Sequence, residues 1–398
     1  MNTEDVQGDE PFALMPYPPA SVAHAEQGPL AGLSFAVKDL FDVAGYPTSG
    51  GNPTLLAMSG IKRTTAPTVQ RLLDAGARMI GKAQTNEMAF SMSGKNAHFG
   101  TPRNGAAPQR IPGGSSSGSA SAVSNGLCDF ALGTDTGGSV RTPASYCGLY
   151  GLRPSHGRIS LEGCQPLCAS MDTCGFFARE PEVFQRVAEC LLGEDSAPLT
   201  ESPALSSAVL MEMLPAASRA ALVPALAHIE RACSGIEAFS DAWPSLEEAY
   251  WAFRYIQGRE AWQAQGETIL RHGLVLGPDV GARFIWGRQV SDEQLAEATA
   301  FRARFRDAVD AMLGDRVLVM PTVADIAPRL DAEDEEIETA RTIAHHLLGI
   351  AVLCGLPQVN LPLAEKDGAP LGISLLAGRG RDLALVRLAA RIGASVEG

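Results

Sequence analysis

The stretch from Gly113 to Arg141 constrains this chain most, because it holds two blocks of glycine and serine around one short apolar segment. The first block reads GGSSSG (113–118) and the second reads TDTGGS (134–139). Glycine lets the backbone approach closely and adopt positive φ angles without steric cost. The layout therefore predicts a loop, a helix of small residues, a strand at 130–132 and a second tight loop that opens another helix.

The second block indicates acyl transfer. A serine hydroxyl is a weak nucleophile that needs a base, and the oxyanion formed by its attack needs fixed donors. The candidate donors are the backbone N–H groups of Thr136, Gly137, Gly138 and Ser139. A phosphate-binding loop or a plain tight turn is the alternative. However, both blocks lack the Gly-Lys-Ser/Thr of a Walker A loop, and Ser139 lacks a G-x-S-x-G elbow.

On these residues the chain resembles the amidase signature family of serine amidohydrolases. The two blocks are similar to the family's paired signature, G-G-S-S-G-G-S and G-T-D-x-G-G-S-x-R, with Ser117 standing where glycine is usual. The resemblance implies Ser139 as nucleophile, Ser115 as a bridging serine preceded by a cis peptide bond, and Lys38 as the base. It also implies one α/β/α domain with a large mixed β-sheet covered by helices, and no metal or organic cofactor.

Within that family, several strings are similar to the plant indole-3-acetamide amidases. They are VKDLFDV (37–43), NEMAFSMSGKNAHFGTPRN (86–104), IPGGSSSGSA (111–120) and GTDTGGSVRTPASYCG (133–148). The similarity is strong over residues 30–180 and scattered beyond them. It implies a small-molecule amide as substrate, with a primary arylacetamide such as indole-3-acetamide as the first expectation.

Lys38 ends an alternating apolar stretch that predicts a strand. A lysine at the end of a buried strand can act as a neutral base, because burial lowers its pKa by up to about 3–5 units from about 10.4. The alternative is an exposed lysine that pairs with Asp39 or Asp42. The two serine loops favour the base.

The segment after the second predicted strand is rich in loops. The resemblance places Phe90, Ser91 and Met92 beside the scissile bond as substrate-binding residues, with core packing as the alternative. His98 is a lone histidine without an evident acidic partner, so we interpret it as structural rather than as a base for serine. His156 is interpreted in the same way.

Further side chains are expected to support the site. Asp135 and Arg141 flank the proposed nucleophile, and we expect them to hydrogen-bond the loops rather than to bind substrate. The helical region beyond residue 180 contributes large rings, and we expect at least one of them at the substrate. These rings are Trp251, Tyr255 and Trp286.

Composition bounds the class of protein. A net charge of −13 argues against nucleic acid or an anionic membrane as main partner. The acidic N-terminus does not resemble a signal peptide, and no stretch of about 18 apolar residues suggests a spanning helix. The eight cysteines form neither a disulfide nor a zinc framework. We therefore expect a cytoplasmic enzyme without metal, for which a homodimer stays open.

We divide the chain into a surface segment, 1–28, and a single amidase domain, 29–398. The domain comprises core motifs over 29–180 and a variable helical region over 181–345 that is expected to shape the substrate pocket. The strand–helix–strand pattern between residues 33 and 83 is typical of a sheet covered by helices. A strand at 317–320 and a helix at 341–353 are predicted further on.

Other functions of the same fold stay open. A glutamine amidotransferase subunit would pass ammonia to a partner, and an esterase or carbamate hydrolase would use the same acyl-enzyme. The third alternative is a non-catalytic, amidase-like binding module.

Overall fold

The computed structural model describes residues 11–239 and 242–397. Within them, ten strands form one mixed sheet. The strands are β1 (Ser34–Lys38), β2 (Arg78–Ala83), β3 (Phe130–Thr134), β4 (Tyr150–Arg153), β5 (Cys174–Ala178), β6 (Ala204–Ser206), β7 (Ile236–Ala238), β8 (Val317–Pro321), β9 (Gln358–Lys366) and β10 (Ala369–Ala377). Their order is β2-β1-β3-β5-β4-β9-β10-β8-β6-β7. Strands from both halves of the chain thus build one sheet, as the single α/β domain predicted from the sequence requires.

Helices surround this sheet. In the described residues they are α1 (Pro53–Ser59), α2 (Pro67–Asp74), α3 (Ser117–Ser124), α4 (Arg141–Tyr146), α5 (Pro181–Leu192), α6 (Ala208–Glu212), α7 (Ala216–Ala221), α8 (Val223–Ala232), α9 (Leu246–His272), α10 (Pro278–Gln289), α11 (Asp292–Leu313), α12 (Asp334–Cys354) and α13 (Asp382–Glu397). The alternation of β1 shows the layering. Phe35 and Val37 pack into the larger core, whereas Ala36 joins a second core with residues of α3 and α4. Both faces of the sheet are therefore covered.

The sheet positions the candidate site through β1. This strand pairs in parallel with β2 on one side and with β3 on the other. Strands that run parallel bring their carboxyl ends to one edge. Lys38, the last residue of β1, therefore lies next to Thr134, the last residue of β3.

Two predicted helices have definite boundaries in the structure. The helix of the strand–helix–strand pattern starts at Pro67, and its cap residue, Ala66, makes no side-chain capping bond. Thr65, two residues before this helix, accepts the amide N–H of Ala44 at 3.1 Å. The helix predicted at 341–353 begins earlier, at Asp334, because the acidic side chains before it suit the first turn of a helix.

The predicted surface segment is only partly at the surface. Residues 1–10 of it lie outside the described residues, and residues 18–28 are exposed or half-buried. Ala13 and Met15, however, are buried, and the Met15 N–H donates to the Lys82 carbonyl oxygen at 2.8 Å. This short stretch extends the pairing of β2, which the sequence did not indicate.

No helix in the described residues combines the length and hydropathy needed to cross a membrane. The described residues also hold no group of three or more His, Cys, Asp or Glu side chains arranged as a metal site.

Candidate active site

Lys38 lies at the end of β1 and has no solvent exposure. Its Nζ donates to Ser115 Oγ at 2.7 Å, to Ser116 Oγ at 2.9 Å and to Thr134 Oγ1 at 2.8 Å. Burial lowers the pKa of Lys38 to about 7, because the charged ammonium loses its hydration inside the protein. A substantial fraction of neutral amine therefore exists at neutral pH, and a neutral amine can accept a proton.

The carboxylates next to Lys38 in the sequence have other partners. Asp39 forms a fully buried ion pair with Lys82, with 2.7 Å between Oδ1 and Nζ. Asp42 lies 3.4 Å from Lys62 in a half-exposed pair. The alternative of an exposed Lys38 paired with Asp39 or Asp42 is therefore wrong.

The first serine block forms the loop before α3. The Gly114–Ser115 peptide bond is cis, as the family resemblance implies. The Ser115 carbonyl oxygen accepts the Asn86 N–H at 3.0 Å. The Ser116 N–H donates to the Ser139 carbonyl oxygen at 3.3 Å, so the backbones of the two serine blocks are in direct contact.

Ser139 lies in the tight turn between β3 and α4 and is buried. The Asp135 carboxylate accepts the amide N–H groups of Gly138 at 2.9 Å, Val140 at 3.1 Å and Arg141 at 3.3 Å. These bonds close the turn around Ser139. Because α4 begins at Arg141 with Val140 as its cap residue, Ser139 precedes the helix rather than standing in its first turn.

Asp135 also holds two buried arginines. Arg141 Nη2 lies 2.8 Å and Arg153 Nη1 3.0 Å from Asp135 Oδ1, and all three side chains are fully buried. Burial alone would raise the pKa of Asp135, but the two guanidinium groups outweigh it and hold this pKa below its usual value. Arg141 further donates to the Leu348 carbonyl oxygen at 3.0 Å. Asp135 and Arg141 thus hold the loops, as expected from the sequence.

The predicted oxyanion donors differ in what they contact. The Gly138 N–H donates to Asp135 Oδ1, so the expectation for Gly138 is not met in this structure. For Thr136, Gly137 and Ser139, no acceptor within the described part of the chain takes the amide N–H. We therefore narrow the predicted donor set to these three amides.

Two helices close over the turn. A Cβ atom on Gly137 would lie 2.7 Å from Phe253 Cζ of α9. Gly138 has a φ of +121°, and a Cβ there would lie 2.4 Å from Leu348 Cδ1 of α12. Only glycine fits at both positions, because Phe253 and Leu348 leave no room for a methyl group.

A cavity of about 180 Å³ lies beside the cluster. Thr134, which contacts Lys38, lines it together with Thr136 and Asp172, and the Thr136 hydroxyl donates to Asp172 Oδ1 at 2.5 Å. The other lining residues are mostly apolar: Leu40, Ala89, Leu161, Cys164, Gln165, Pro166, Leu167 and Ala169. Such a lining suits an apolar substituent of a small ligand.

The three predicted substrate-loop residues are buried: Phe90, Ser91 and Met92. The Phe90 ring packs edge-on against Phe284 of α10, with 4.9 Å between centroids. The Phe90 carbonyl oxygen accepts Arg283 Nη1 at 2.9 Å. The same loop reaches the cavity through Ala89, whose φ is +58°. Core packing is therefore present, and a contact with substrate stays a prediction.

His98 has an acidic partner that the sequence did not indicate. Its Nε2 lies 2.9 Å from Glu87 Oε1. Glu87 is itself buried and also accepts Asn52 Nδ2 at 2.6 Å and the Gly277 N–H at 2.8 Å. The argument from a missing partner was wrong, but the contacts tie loops together and agree with a structural role for His98.

The large rings of the helical region pack on one another. Tyr255 stacks on Trp286 with 5.8 Å between centroids, and the Arg254 guanidinium lies 5.0 Å above the Trp286 ring. Trp251 lies 5.7 Å from Tyr255 and is partly exposed. A role of any of these rings at the substrate stays a prediction.

Sequence reasoning missed three side chains of the cluster. Ser116 and Thr134 touch Lys38, and their place inside the two Gly/Ser blocks was a signal that could have identified them. Asp172, the partner of Thr136, had no such signal, because it lies outside both blocks and reaches the site only through folding.

Comparisons with known proteins show which family this chain is similar to. A family model described as Amidase matches residues 17–249. The curated protein "Amidase 1" of Arabidopsis thaliana is 36% identical over 92% of this chain and 94% of its own length. "Translocon at the outer membrane of chloroplasts 64" of Pisum sativum is 34% identical over 93% of this chain and 67% of its own length.

A solved structure agrees as well. A crystal structure described as that of an amidase superposes with a TM-score of 0.81 at 31% identity. The match covers 93% of this chain and 86% of the other. The sheet and helices described above are therefore an architecture already seen in that protein.

Proposed function

Because this chain belongs to the amidase signature family of amide hydrolases, we propose that it hydrolyses a small-molecule amide through Lys38, Ser115 and Ser139. One observation carries the proposal: the Nζ of a fully buried lysine with a pKa of about 7 lies 2.7 Å from the Ser115 hydroxyl oxygen. A structural lysine would gain more from a carboxylate partner than from hydroxyl groups. A neutral lysine with hydroxyl neighbours suits proton transfer.

The proposed acylation step moves two protons. Ser139 Oγ attacks the amide carbonyl carbon while its proton passes to Ser115 Oγ, and the Ser115 proton passes to neutral Lys38. The carbonyl oxygen becomes an oxyanion, which the free amide N–H groups of the Ser139 turn stabilise. When the C–N bond breaks, Ser115 gives one proton to the leaving nitrogen and regains one from Lys38, so that ammonia departs and Lys38 is neutral again.

Deacylation reverses the proton path. Water attacks the ester carbon of the acylated Ser139, and its proton passes through Ser115 to Lys38. As the second tetrahedral intermediate collapses, a proton returns from Lys38 through Ser115 to Ser139 Oγ, which leaves a carboxylic acid, free Ser139 and neutral Lys38. This chemistry follows the logic of an activated nucleophile with a relay, in which serine and lysine replace histidine and aspartate.

For the substrate we propose a primary amide with an apolar acyl group, and an arylacetamide such as indole-3-acetamide as first candidate. The apolar lining of the 180 Å³ cavity supports a ring or a short alkyl group at this position. The similarity to a plant protein named Amidase 1 supports an amide as the substrate.

The test is ammonia release from a panel of primary amides: indole-3-acetamide, phenylacetamide, malonamate and glutamine, with an anilide read by aniline release. We expect Ser139→Ala to lower kcat by about 10⁴-fold or more, because the nucleophile is lost. Ser160→Ala, at an exposed serine, serves as control and should match the wild type. Activity of Ser139→Ala equal to the wild type would refute the mechanism.

The same panel, together with an ester matched to the preferred amide, separates the alternatives. A glutaminase that needs a second subunit would indicate an amidotransferase, and a matched ester turned over faster than its amide would indicate an esterase. Release from no substrate would favour a binding module. The buried contact between Lys38 and Ser115 argues against that last case, since a binding module has no use for a neutral lysine.

A further inference from the structure

A second pocket, of about 340 Å³, lies at the C-terminal end of α12. Its basic lining residues are His156, Arg302, Arg306 and Arg379, and the thiol of Cys354 is the other titratable group of the lining. Among the described residues that line it there is no Asp or Glu. This concentration of positive charge is unusual for a chain whose net charge is −13.

Two of these arginines, Arg302 and Arg379, bind carbonyl oxygens at the C-terminal end of α12. Arg302 Nε donates to the Leu353 carbonyl oxygen at 2.9 Å, and Arg379 Nη2 donates to the Cys354 carbonyl oxygen at 2.5 Å. Cations are favourable there because the helix dipole is negative. A guanidinium has five N–H donors, so both side chains keep donors for a ligand.

Among the described residues, Arg306 donates to no carbonyl oxygen at the end of α12. It lies 3.2 Å from Asp307, the next residue on α11, and this aspartate is 72% exposed. An ion pair so exposed contributes little, about 0–1 kcal/mol. A bound anion can therefore compete for Arg306.

Two other carboxylates, Glu260 and Asp310, lie near the arginines but outside the pocket lining. Glu260 accepts the Ser170 N–H at 3.0 Å and so is held by that loop. Burial raises the pKa of Asp310, and the nearby Arg379 and Arg306 only partly oppose this. Burial lowers the pKa of Arg302 and the positive charge of Arg306 adds to this, whereas Cys168, Glu260 and Cys354 oppose it. An anion between these arginines would relieve their mutual repulsion.

The pocket is connected to the candidate active site by one loop. His156 Nε2 lies 3.0 Å from the Ala169 carbonyl oxygen. Arg302 donates to the Ser170 carbonyl oxygen at 2.8 Å and to Ser170 Oγ at 3.0 Å. Two residues further on, the Asp172 carboxylate accepts the Thr136 hydroxyl. Ala169 and Asp172 both line the cavity of about 180 Å³ beside the candidate active site. The same loop thus lies between the two pockets.

We propose that the basic pocket is an effector site for a phosphate group, free or carried by a small metabolite. Binding of phosphate in this pocket changes the conformation of the 167–172 loop. Phosphate matches the pocket because arginine forks bind its oxygens in pairs. A ligand that draws on Arg302 or His156 alters the contacts that hold Ala169 and Ser170. The site is separate from the proposed chemistry, so its test needs no substrate.

The binding test uses the full chain and inorganic phosphate, with a phosphate monoester as second probe and sodium chloride at equal ionic strength as the reference. We expect saturable binding by calorimetry and a saturable rise in Tm with phosphate only. Tighter binding of the monoester identifies a metabolite as the source, and tighter binding of the free ion identifies inorganic phosphate.

Arg306→Gln removes the one arginine that supports no backbone carbonyl. We expect its Kd for phosphate to rise by about tenfold or more, as the loss of a charge-assisted hydrogen bond predicts. Arg304→Gln is the matched control, because Arg304 is exposed on the same helix, lies over Phe301 and is not in the pocket lining. Equal phosphate binding in both variants would overturn the proposal.

Hydrogen exchange tests the link to the loop. We expect phosphate to change the exchange rates of the amides in 167–172 in the wild type and in Arg304→Gln, but not in Arg306→Gln. Saturable binding without any change in this segment would overturn the effector role. An identical change with sodium chloride would also overturn it, since the effect would then be one of ionic strength.

Discussion

At the scale of single residues, burial decides the chemistry of Lys38. In water an amine of this kind is protonated near pH 7 and cannot act as a base. In this structure the ammonium would face hydroxyl groups and no carboxylate in direct contact, so the neutral form is favoured. Ser115 lies at 2.7 Å from the amine and is in reach of a direct proton transfer.

The first prediction concerns pH. Protonated Lys38 has no lone pair to accept a proton, so activity should fall as the pH drops through its pKa of about 7. With a substrate that does not titrate, log kcat/KM should rise with a slope of about one below that pH and level off above it. A profile that stays flat from about pH 5 to 9 would contradict the assignment of Lys38 as base.

At the scale of elements, the site depends on how closely α9 and α12 approach the Ser139 turn. Phe253 of α9 fills the space next to Gly137, and Leu348 of α12 fills the space next to Gly138. These close contacts limit the movement of the turn that carries the free amides. Rigid donors of this kind are more effective than donors that must reorganise.

The second prediction follows from this contact. Gly137→Ala should displace the turn and lower kcat by about 10²-fold, the usual effect of losing one oxyanion donor. Phe253→Leu in the same chain should recover part of the loss, because it makes room for the added methyl group. The measurement is kcat with the preferred amide for both variants.

Gly349→Ala is the control for this substitution. Gly349 lies inside α12, and a Cβ there would meet no atom within 4 Å. Alanine should stabilise the helix by about 0.5–1 kcal/mol and leave kcat unchanged. Equal losses of kcat in Gly137→Ala and Gly349→Ala would show that the effect is not specific to the turn.

At the scale of the whole molecule, Asp135 connects parts of the chain that are far apart in sequence. Through Arg141 it reaches Leu348 of α12, and Arg141 also donates to the Gln358 side chain at the start of β9. Through Arg153 it reaches the end of β4. One carboxylate thus joins the proposed nucleophile turn to the centre of the sheet.

The third prediction tests this network. Asp135→Asn leaves two buried arginines without their counter-charge and should cost about 3–5 kcal/mol of unfolding free energy at neutral pH. Because the folded state lowers the pKa of Asp135, its contribution is complete above the unfolded value of about 3.9 and is lost as the pH falls through the folded value. The difference between wild type and variant should therefore shrink in strong acid.

Urea unfolding at neutral and acidic pH measures this difference. Asp74→Asn is the matched control, since Asp74 is exposed at the end of α2. It should change the unfolding free energy by less than about 0.5 kcal/mol. A cost as small as this for Asp135→Asn would show that the two arginines find other partners.

Local chemistry is what the sequence by itself determined. Glycine and serine blocks specify tight loops wherever they occur, and apolar alternation specifies a strand that ends at Lys38. The resemblance to the amidase signature family supplied the fold class and the roles of Ser115, Ser139 and Lys38. The local signals by themselves predicted β1 and the two serine loops. They depend on neighbours in the chain, which a sequence displays directly.

The tertiary structure alone decided which groups meet. Nothing near Glu87 in the sequence indicates that it accepts from Gly277, and nothing near Thr136 indicates Asp172. The engagement of the Gly138 amide by Asp135 likewise depends on the closed turn. Burial and partner choice are properties of the packed molecule, because they are set by contacts between distant segments, and they in turn set the pKa of Lys38.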